Sequence, residues 1–440
     1  MGNAQRFIDL FGEDARYNYT AKKWLCWNGK YWRPDEDGEA ERMTDIAVES
    51  MKREAEYYET QDEEAVKAFA KHMKSSRSNK SKGNMLREAQ HRLPIMPHEL
   101  DSHPFAFNTP SGIVSLKNGK ILPHERKYFI TKIAGTEIAD TADEGRPQDC
   151  PVWKRFLNDI FGGDADLIRY IQKAVGYSLT GSISEQCMFI LLGDGHNGKS
   201  TFLEAIRGIL GDYCSNMQAE TIMMKSFAGG INSDIARLNK ARMVTSSEPN
   251  EGVRLNEGLI KQITGGDAVT ARKLFENEFE FRPEFKLWLA ANHKPIVRGT
   301  DTGIWRRLHV IPFNVRIPPE KADKGLEGKL RKEYPAILKW AVEGCILWQT
   351  EGLQMPKAVL DMVKEYRREM DVISAFVEEK CECGETLYAR ASALYAAYSE
   401  WCEKNNEYHM SNTKFAAEMS KRFTKIKRPD GLYYCGIKNI

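Results

Sequence analysis

One short run constrains this chain more than any other. Gly193-Asp194-Gly195-His196-Asn197-Gly198-Lys199-Ser200 fits the spacing G-x-x-x-x-G-K-[ST], with Thr201 directly after it. Such a loop needs a strand before it and a helix after it, and both are predicted. Met188-Phe189-Ile190-Leu191-Leu192 is an apolar run of strand length, and Phe202, Ile206 and Ile209 recur at helical spacing until Gly211. Glycines at 193, 195 and 198 allow the backbone to curl so that its N–H groups and the helix start face phosphate oxygens. Lys199 is expected to reach the β and γ phosphates of ATP, and Ser200 to ligate Mg2+. From Met188 to Phe313 short apolar strands alternate with helices, the pattern of an α/β sheet with its ligand at strand C-termini.

Three further residues follow the loop at strand ends. Arg242 to Ser247 reads as a strand ending in Glu248, a candidate general base that also joins Ser200 as a candidate metal ligand. Phe285 to Ala291 reads as a strand ending in Asn292, suited to orienting the attacking water and sensing the γ phosphate. Arg307 opens the apolar strand Leu308 to Ile311, where it would project into a neighbouring subunit and neutralise transition-state charge. Taken singly, each is an ordinary surface or strand-end residue. Between Glu248 and Asn292, a helix over Asn256 to Gly266 precedes strands Val269 to Leu274 and Glu278 to Arg282, a hairpin with its tip near Phe275-Glu276-Asn277. Arg272, Lys273 and Phe275 at that tip combine cations with an aromatic ring, which suits a phosphate backbone and a stacked base; the plainer reading is a structural hairpin with surface charges.

The rest of the chain frames this core. Residues 1–149 read as an α+β domain, with hairpins turned by Asn28-Gly29 and Asn118-Gly119 and a charged helical stretch from Asp45 to Lys74. Thr136 to Asp149 is polar and acidic, the best linker. The ATPase core with its preceding helices is expected over 150–318, a helical segment over 319–370, and a winged-helix-like domain over 371–440. That last segment offers helices at Ala391 to Glu403 and Asn412 to Phe423, then a hairpin turned by Pro429-Asp430-Gly431. Two basic runs, Lys71 to Lys82 and Lys421 to Arg428, contain no acid.

Composition excludes several classes. At 440 residues with 42% hydrophobic content the chain supports several globular domains. No run approaches a membrane span, and polar breaks in Met1 to Leu10 predict no signal peptide. Nine scattered cysteines argue against a disulfide framework and for a reducing cytoplasm.

The ordered set of the loop, Glu248, Lys261-Gln262-Ile263-Thr264-Gly265-Gly266-Asp267, Asn292 and Arg307 resembles the superfamily 3 helicases. The likeness extends to the phage and plasmid primase-helicase group that includes the poxvirus helicase-primase. Asp101 to Asn108, Gly112 to Gly119, Gly303 to Leu308, Ile311 to Phe313 and Tyr366 to Asp371 carry it along nearly the whole chain. The resemblance implies an AAA+ like ATPase that assembles as a ring, usually a homo-hexamer, and moves 3′ to 5′ on single-stranded or forked DNA in a bacterial host. It implies Lys199 and Ser200 as phosphate and magnesium residues, Glu248 as the acidic motif, Asn292 as the sensor and Arg307, rather than Arg306, as the arginine finger. Lys261, Arg272, Lys273 and Phe275 would contact DNA. A separately encoded primase or polymerase is the expected partner, since this chain is short for a primase module of its own. The sequence departs from the group at Ser247-Glu248, where many members carry paired acids.

Other readings are weaker. Asp35-Glu36-Asp37 and Asp164-Ala165-Asp166 mimic primase acids but sit in turn or helix settings. Cys381, Cys383, Cys402, His409 and Cys435 do not have a zinc knuckle's spacing. The rival function is an ATP-switched initiator or loader whose Asn412 to Phe423 helix enters a duplex groove.

Overall fold

A computed structural model describes residues 2–58, 63–139, 148–224, 233–247, 249–272, 278–299, 301–318, 320, 322–405 and 407–440. Its centre is a five-stranded parallel sheet of β1 (Met188–Leu192), β2 (Cys214–Asn216), β3 (Met243–Ser247), β4 (Lys286–Ala291) and β5 (Leu308–Pro312), in the order β5-β1-β4-β3-β2. Continuous apolar runs, rather than alternation, are what a sheet buried on both faces requires. Phe189, Leu191, Trp288 and Ile311 point into one core, and Met188, Ile190, Leu287, Leu289 and Val310 into the other.

The first core is built on helices Pro151–Ile160, Ala165–Ser178 and Tyr334–Glu351. Pro151 starts its helix where no N–H is needed, and the Asp164 carboxylate caps the next by accepting from Leu167 N at 3.0 Å. Trp153, fully buried, stacks on Phe202 with ring centroids 5.7 Å apart, fixing the helix that follows the phosphate loop.

The N-terminal segment is not a separate island. Helices Gly2–Phe11, Glu39–Tyr58, Glu63–Ser76 and Asn79–Gln90 and the sheet Ala15–Asn18, Lys23–Trp27, Trp32–Pro34 enclose a small core around Phe7 and Trp24. Phe107, Val114, Leu116, Ala134, Ile138 and Ala139, by contrast, share the core of Trp153 and Phe202. Arg242, buried at the start of β3, donates to Leu179 O and Ala106 O at 2.7 Å each and holds the two parts together. Within the expected linker, Ile138 and Ala139 are therefore packed, while 140–147 lie outside the described residues. The Asn28-Gly29 hairpin forms as expected, pairing Trp27 with Trp32, and the Asn118-Gly119 turn joins Gly112–Ser115 to Ile121–Leu122. Asp35 caps helix Glu39–Tyr58, accepting from Gly38 N and Glu39 N at 2.8 Å each, so its carboxylate holds a helix start.

The C-terminal segment runs helix Val372–Lys380, strand Cys381–Arg390, helices Ala391–Asn405 and Asn412–Ser420, then strands Lys425–Arg428 and Gly431–Asn439. The long strand Cys381–Arg390, at one edge of the sheet, is absent from the sequence reading, and the second helix ends at Ser420 rather than Phe423.

Candidate functional site

The loop after β1 is held from three sides. Gly198, at φ +87°, caps helix Lys199–Leu210 without a side chain, so the first-turn N–H groups face the loop. A Cβ at Gly193 would lie 2.3 Å from Phe313 O, and one at Gly198 2.7 Å from Ile160 Cγ2. At Gly195, φ +90°, a Cβ would meet nothing within 4 Å, because that position opens onto a cleft of about 680 Å³. The loop is thus pinned at both ends and open in the middle, the shape a phosphate chain requires. Asn197 is buried and donates to Phe313 O at 3.1 Å, tying the loop to the end of β5.

Lys199 is 6% exposed, and its ammonium donates to Gly193 O, to Asn197 Oδ1 at 3.2 Å and to Asn292 Oδ1 at 3.1 Å. The two strongest sequence candidates, 93 positions apart, therefore meet in one hydrogen bond. They meet because β4 inserts between β1 and β3, bringing Asn292 to the same sheet edge as the loop. Asp194, Gly195 and Asn197 line the cleft, while His196 and Ser200 are exposed beside it. Thr201 is half-buried. His196 takes φ +49° and its carbonyl accepts from Ile317 N at 2.8 Å.

Arg307 behaves differently from a projecting finger. It is 9% exposed, its Nε donates to Thr264 Oγ1 at 3.1 Å and its Nη1 to Gly303 O, and burial together with Arg306 lowers its pKa. Arg306 next to it is exposed and bonds Gln186 Oε1 at 2.7 Å. Because β5 pairs Leu308 with Met188 and Pro312 with Leu192, Arg307 sits one strand length, about 16 Å, from its own phosphate loop. It cannot serve its own site.

Lys261, on helix Glu257–Gly265, makes a two-pronged ion pair with Asp301 at 3.0 Å, which holds that carboxyl below its ordinary range. The hairpin forms as Val269–Arg272 against Glu278–Phe281, with Val269 and Ala271 inward and Arg272 exposed opposite Glu278. Glu248, Lys273 and Phe275 lie outside the described residues.

Sequence reasoning missed the far wall of the cleft, which is Met362, Glu365 and Glu369 of helix Lys357–Glu369. Glu369 pairs with Lys294 at 2.8 Å, and the Tyr366 hydroxyl donates to Pro295 O, so this helix straps the segment that follows Asn292. Beforehand the sequence offered a helical segment over 319–370 and the run Tyr366 to Asp371 as part of the family resemblance, with no link to the phosphate loop. Among the described residues no group of three His, Cys, Asp or Glu side chains is placed to hold a metal ion.

The family described as D5 N terminal like matches residues 4–162, and the one described as poxvirus D5 protein-like matches residues 368–433. The chain belongs to the D5-like primase-helicase family. Between those two matches, a family of unknown function covers residues 191–307, which include the phosphate loop, Asn292 and Arg307. Among D5-like relatives, a protein named as a helicase in Acanthamoeba polyphaga mimivirus is 30% identical over 57% of this chain and 28% of its own length. One named as a helicase in Frog virus 3 is 27% identical over 54% of this chain and 27% of its own. One named as a primase in African swine fever virus is 24% identical over 77% and 38%. The chain thus spans well under half of each of these relatives. The apo structure of the NrS-1 C-terminal region shares the fold, with a TM-score of 0.55 at 11% identity over 99% of both chains. These relatives belong to viruses of eukaryotes, and so lend no support to the expected bacterial setting. No helix among the described residues is long and apolar enough to cross a membrane.

Proposed function

We propose that this chain is the motor of an ATP-driven DNA helicase in the replication of a virus or mobile element, of the superfamily 3 type with an AAA+ like core. The observation that carries the reading is the convergence of Lys199 and Asn292 at the mouth of a phosphate-shaped loop. The sheet order β5-β1-β4-β3-β2 supports it, since β4 inserts the sensor strand between the loop strand and the strand that leads to Glu248. Backbone N–H groups of the loop and the Lys199 ammonium bind the β and γ phosphates of ATP. Ser200 and Glu248 are the residues that would hold Mg2+, which would supply neutralisation of the phosphate charge. Glu248 takes the proton of the attacking water, and Asn292 orients that water.

Completion of the site requires a second copy of the chain. Arg307 lies too far from its own loop, so in a ring, a hexamer in this reading, it serves the neighbour's loop, released from Thr264 and Gly303 as the subunits pack. Arg272, Lys273 and Phe275 line the pore and hold single-stranded DNA, with Lys261 at the base of that hairpin. The helix-strand-helix-helix-strand-strand order of 372–439 supports a winged-helix-like C-terminal domain.

Strand displacement on forked DNA bearing a single tail of either polarity tests the proposal. Unwinding with ATP but not with a non-hydrolysable analogue, from one tail polarity only and abolished by Lys199→Ala, is expected. Tight duplex binding without displacement would instead identify an initiator or loader.

A further inference from the structure

The basic run Lys421 to Arg428 finds no use in the ATPase site, and the structure divides it. Lys421 pairs with Glu418 at 2.7 Å and Arg422 with Asp371 at 2.6 Å, both close to helix Asn412–Ser420. The exposed positions of that helix, Asn412, Thr413, Ala417 and Ser420, carry no charge. A helix entering a duplex groove needs cations against the flanking phosphates; here Lys421 and Arg422 are paired with acids, and Lys414, half-buried on the helix itself, places its ammonium 5.7 Å from the Tyr408 ring centroid.

The neighbouring sheet is built the other way. Ala389, Tyr434 and Ile437 point into a core with Phe376, Tyr398 and Phe415. On the opposite face, register sets Arg390 across from Tyr433 and Tyr433 across from Ile426. There the Arg428 guanidinium carbon lies 4.0 Å from the Tyr388 ring centroid and 5.0 Å from that of Tyr433, and the two rings sit 6.2 Å apart at 71°. Arg390 donates to Asp430 O at 2.6 Å and the Tyr433 hydroxyl to Asp430 Oδ2 at 2.5 Å, which fixes the hairpin tip beside the cluster. Tyr388 keeps 52% of its surface exposed, while Lys425 and Lys427, paired with Tyr434 and Leu432, alternate to the other side of the edge strand. Two arginines, Arg390 and Arg428, and two tyrosines thus share a small flat region, with Asp430 at the hairpin tip.

A flat aromatic and arginine face matches unstacked bases, whose π-faces lie on tyrosine and whose phosphates meet the flanking cations. We propose that the open face of this C-terminal sheet is a second binding site for single-stranded DNA, with bases stacked on Tyr388 and Tyr433 and phosphates held by Arg390 and Arg428. The site is formed within the C-terminal core and does not depend on ATP binding or on the pore hairpin.

The test uses the full chain without nucleotide and a fluorescent oligothymidylate about twelve nucleotides long, within the usual span of such sites. Tyr388→Ala and the double variant Tyr388→Ala/Arg428→Ala are expected to weaken binding by about fivefold or more. Affinity for a duplex of equal length, the melting temperature and DNA-free ATP turnover should not change. The same oligonucleotide carrying 5-iodouracil should photo-crosslink to Tyr388 or Tyr433, and should still do so in Lys199→Ala. That last arm separates the site from the helicase reading, which could fail while the crosslink persists. Unchanged oligothymidylate affinity in the double variant, an equal loss on duplex, or crosslinks confined to other residues would overturn the proposal.

Discussion

Alanine at two glycines of the phosphate loop should separate folding from nucleotide binding. Both Gly195 and Gly198 hold positive φ, +90° and +87°, and an alanine there costs about 1–2 kcal/mol in backbone strain. Only Gly198 pays a second term. Its new methyl would lie 2.7 Å from Ile160 Cγ2 and 3.2 Å from Phe156 Cε2, both in the packed core, and overpacking of that kind adds about 1–3 kcal/mol. Gly198→Ala should therefore destabilise the ligand-free protein by about 2–5 kcal/mol, against about 1–2 for Gly195→Ala. For a cooperative unit of about 150–250 residues, each kcal/mol moves the midpoint by about 2–4 °C. Ligand response should run in the opposite order. The methyl at Gly195 points into the cleft where phosphates bind, so Gly195→Ala should lose most of the thermal stabilisation that ATP confers, a shift worth about 2.7 kcal/mol at a hundredfold excess over Kd. Melting curves of both variants with and without ATP and magnesium read out both terms. If Gly195→Ala melts below Gly198→Ala without ligand, or keeps the full ATP shift, the assignment of the loop's open and packed sides is wrong.

Lys199→Ala should abolish ATP turnover, whereas Lys273→Ala should spare basal turnover and lose DNA stimulation and unwinding; equal unwinding by Lys273→Ala and the parent would remove the hairpin from the pore. Arg307→Ala should cost about 1–3 kcal/mol through the buried acceptors it abandons, and Arg306→Ala less than about 0.5 kcal/mol, as surface changes usually do. If Arg307 acts in trans, mixing Arg307→Ala with Lys199→Ala subunits should restore part of the turnover that each lacks alone, which a steady-state ATPase assay on the mixture measures. Burial pushes the His309 pKa down to about 4, and its Nδ1 shares a hydrogen bond with the Tyr170 hydroxyl at 2.5 Å. The unfolded chain then binds the proton first, so stability is full above about pH 6.5 and falls by about 3 kcal/mol as pH drops to about 4. Denaturant titrations across that range should show a flatter acid limb for His309→Leu, and an unchanged limb would refute the buried neutral histidine.

What the sequence determined by itself was local. The strand, glycine loop and helix around Lys199 are covalently adjacent, so their chemistry is written in one continuous run from Met188 to Leu210, and the Asn-Gly hairpins are equally short-range. Cys381–Arg390 escaped notice because its exposure does not alternate and its register shifts between Cys383 and Tyr388. The meeting of Lys199 with Asn292, the inward turn of Arg307, the strap from Tyr366 and Glu369, and the stacking of Arg428 on Tyr388 were decided by tertiary structure alone. Each joins residues far apart in the chain through strand order or sheet register. Periodicity states that a strand has a buried face, but its neighbour follows from how whole segments fit around two shared cores. Local chemistry therefore named the phosphate loop, and the fold chose what stands around it.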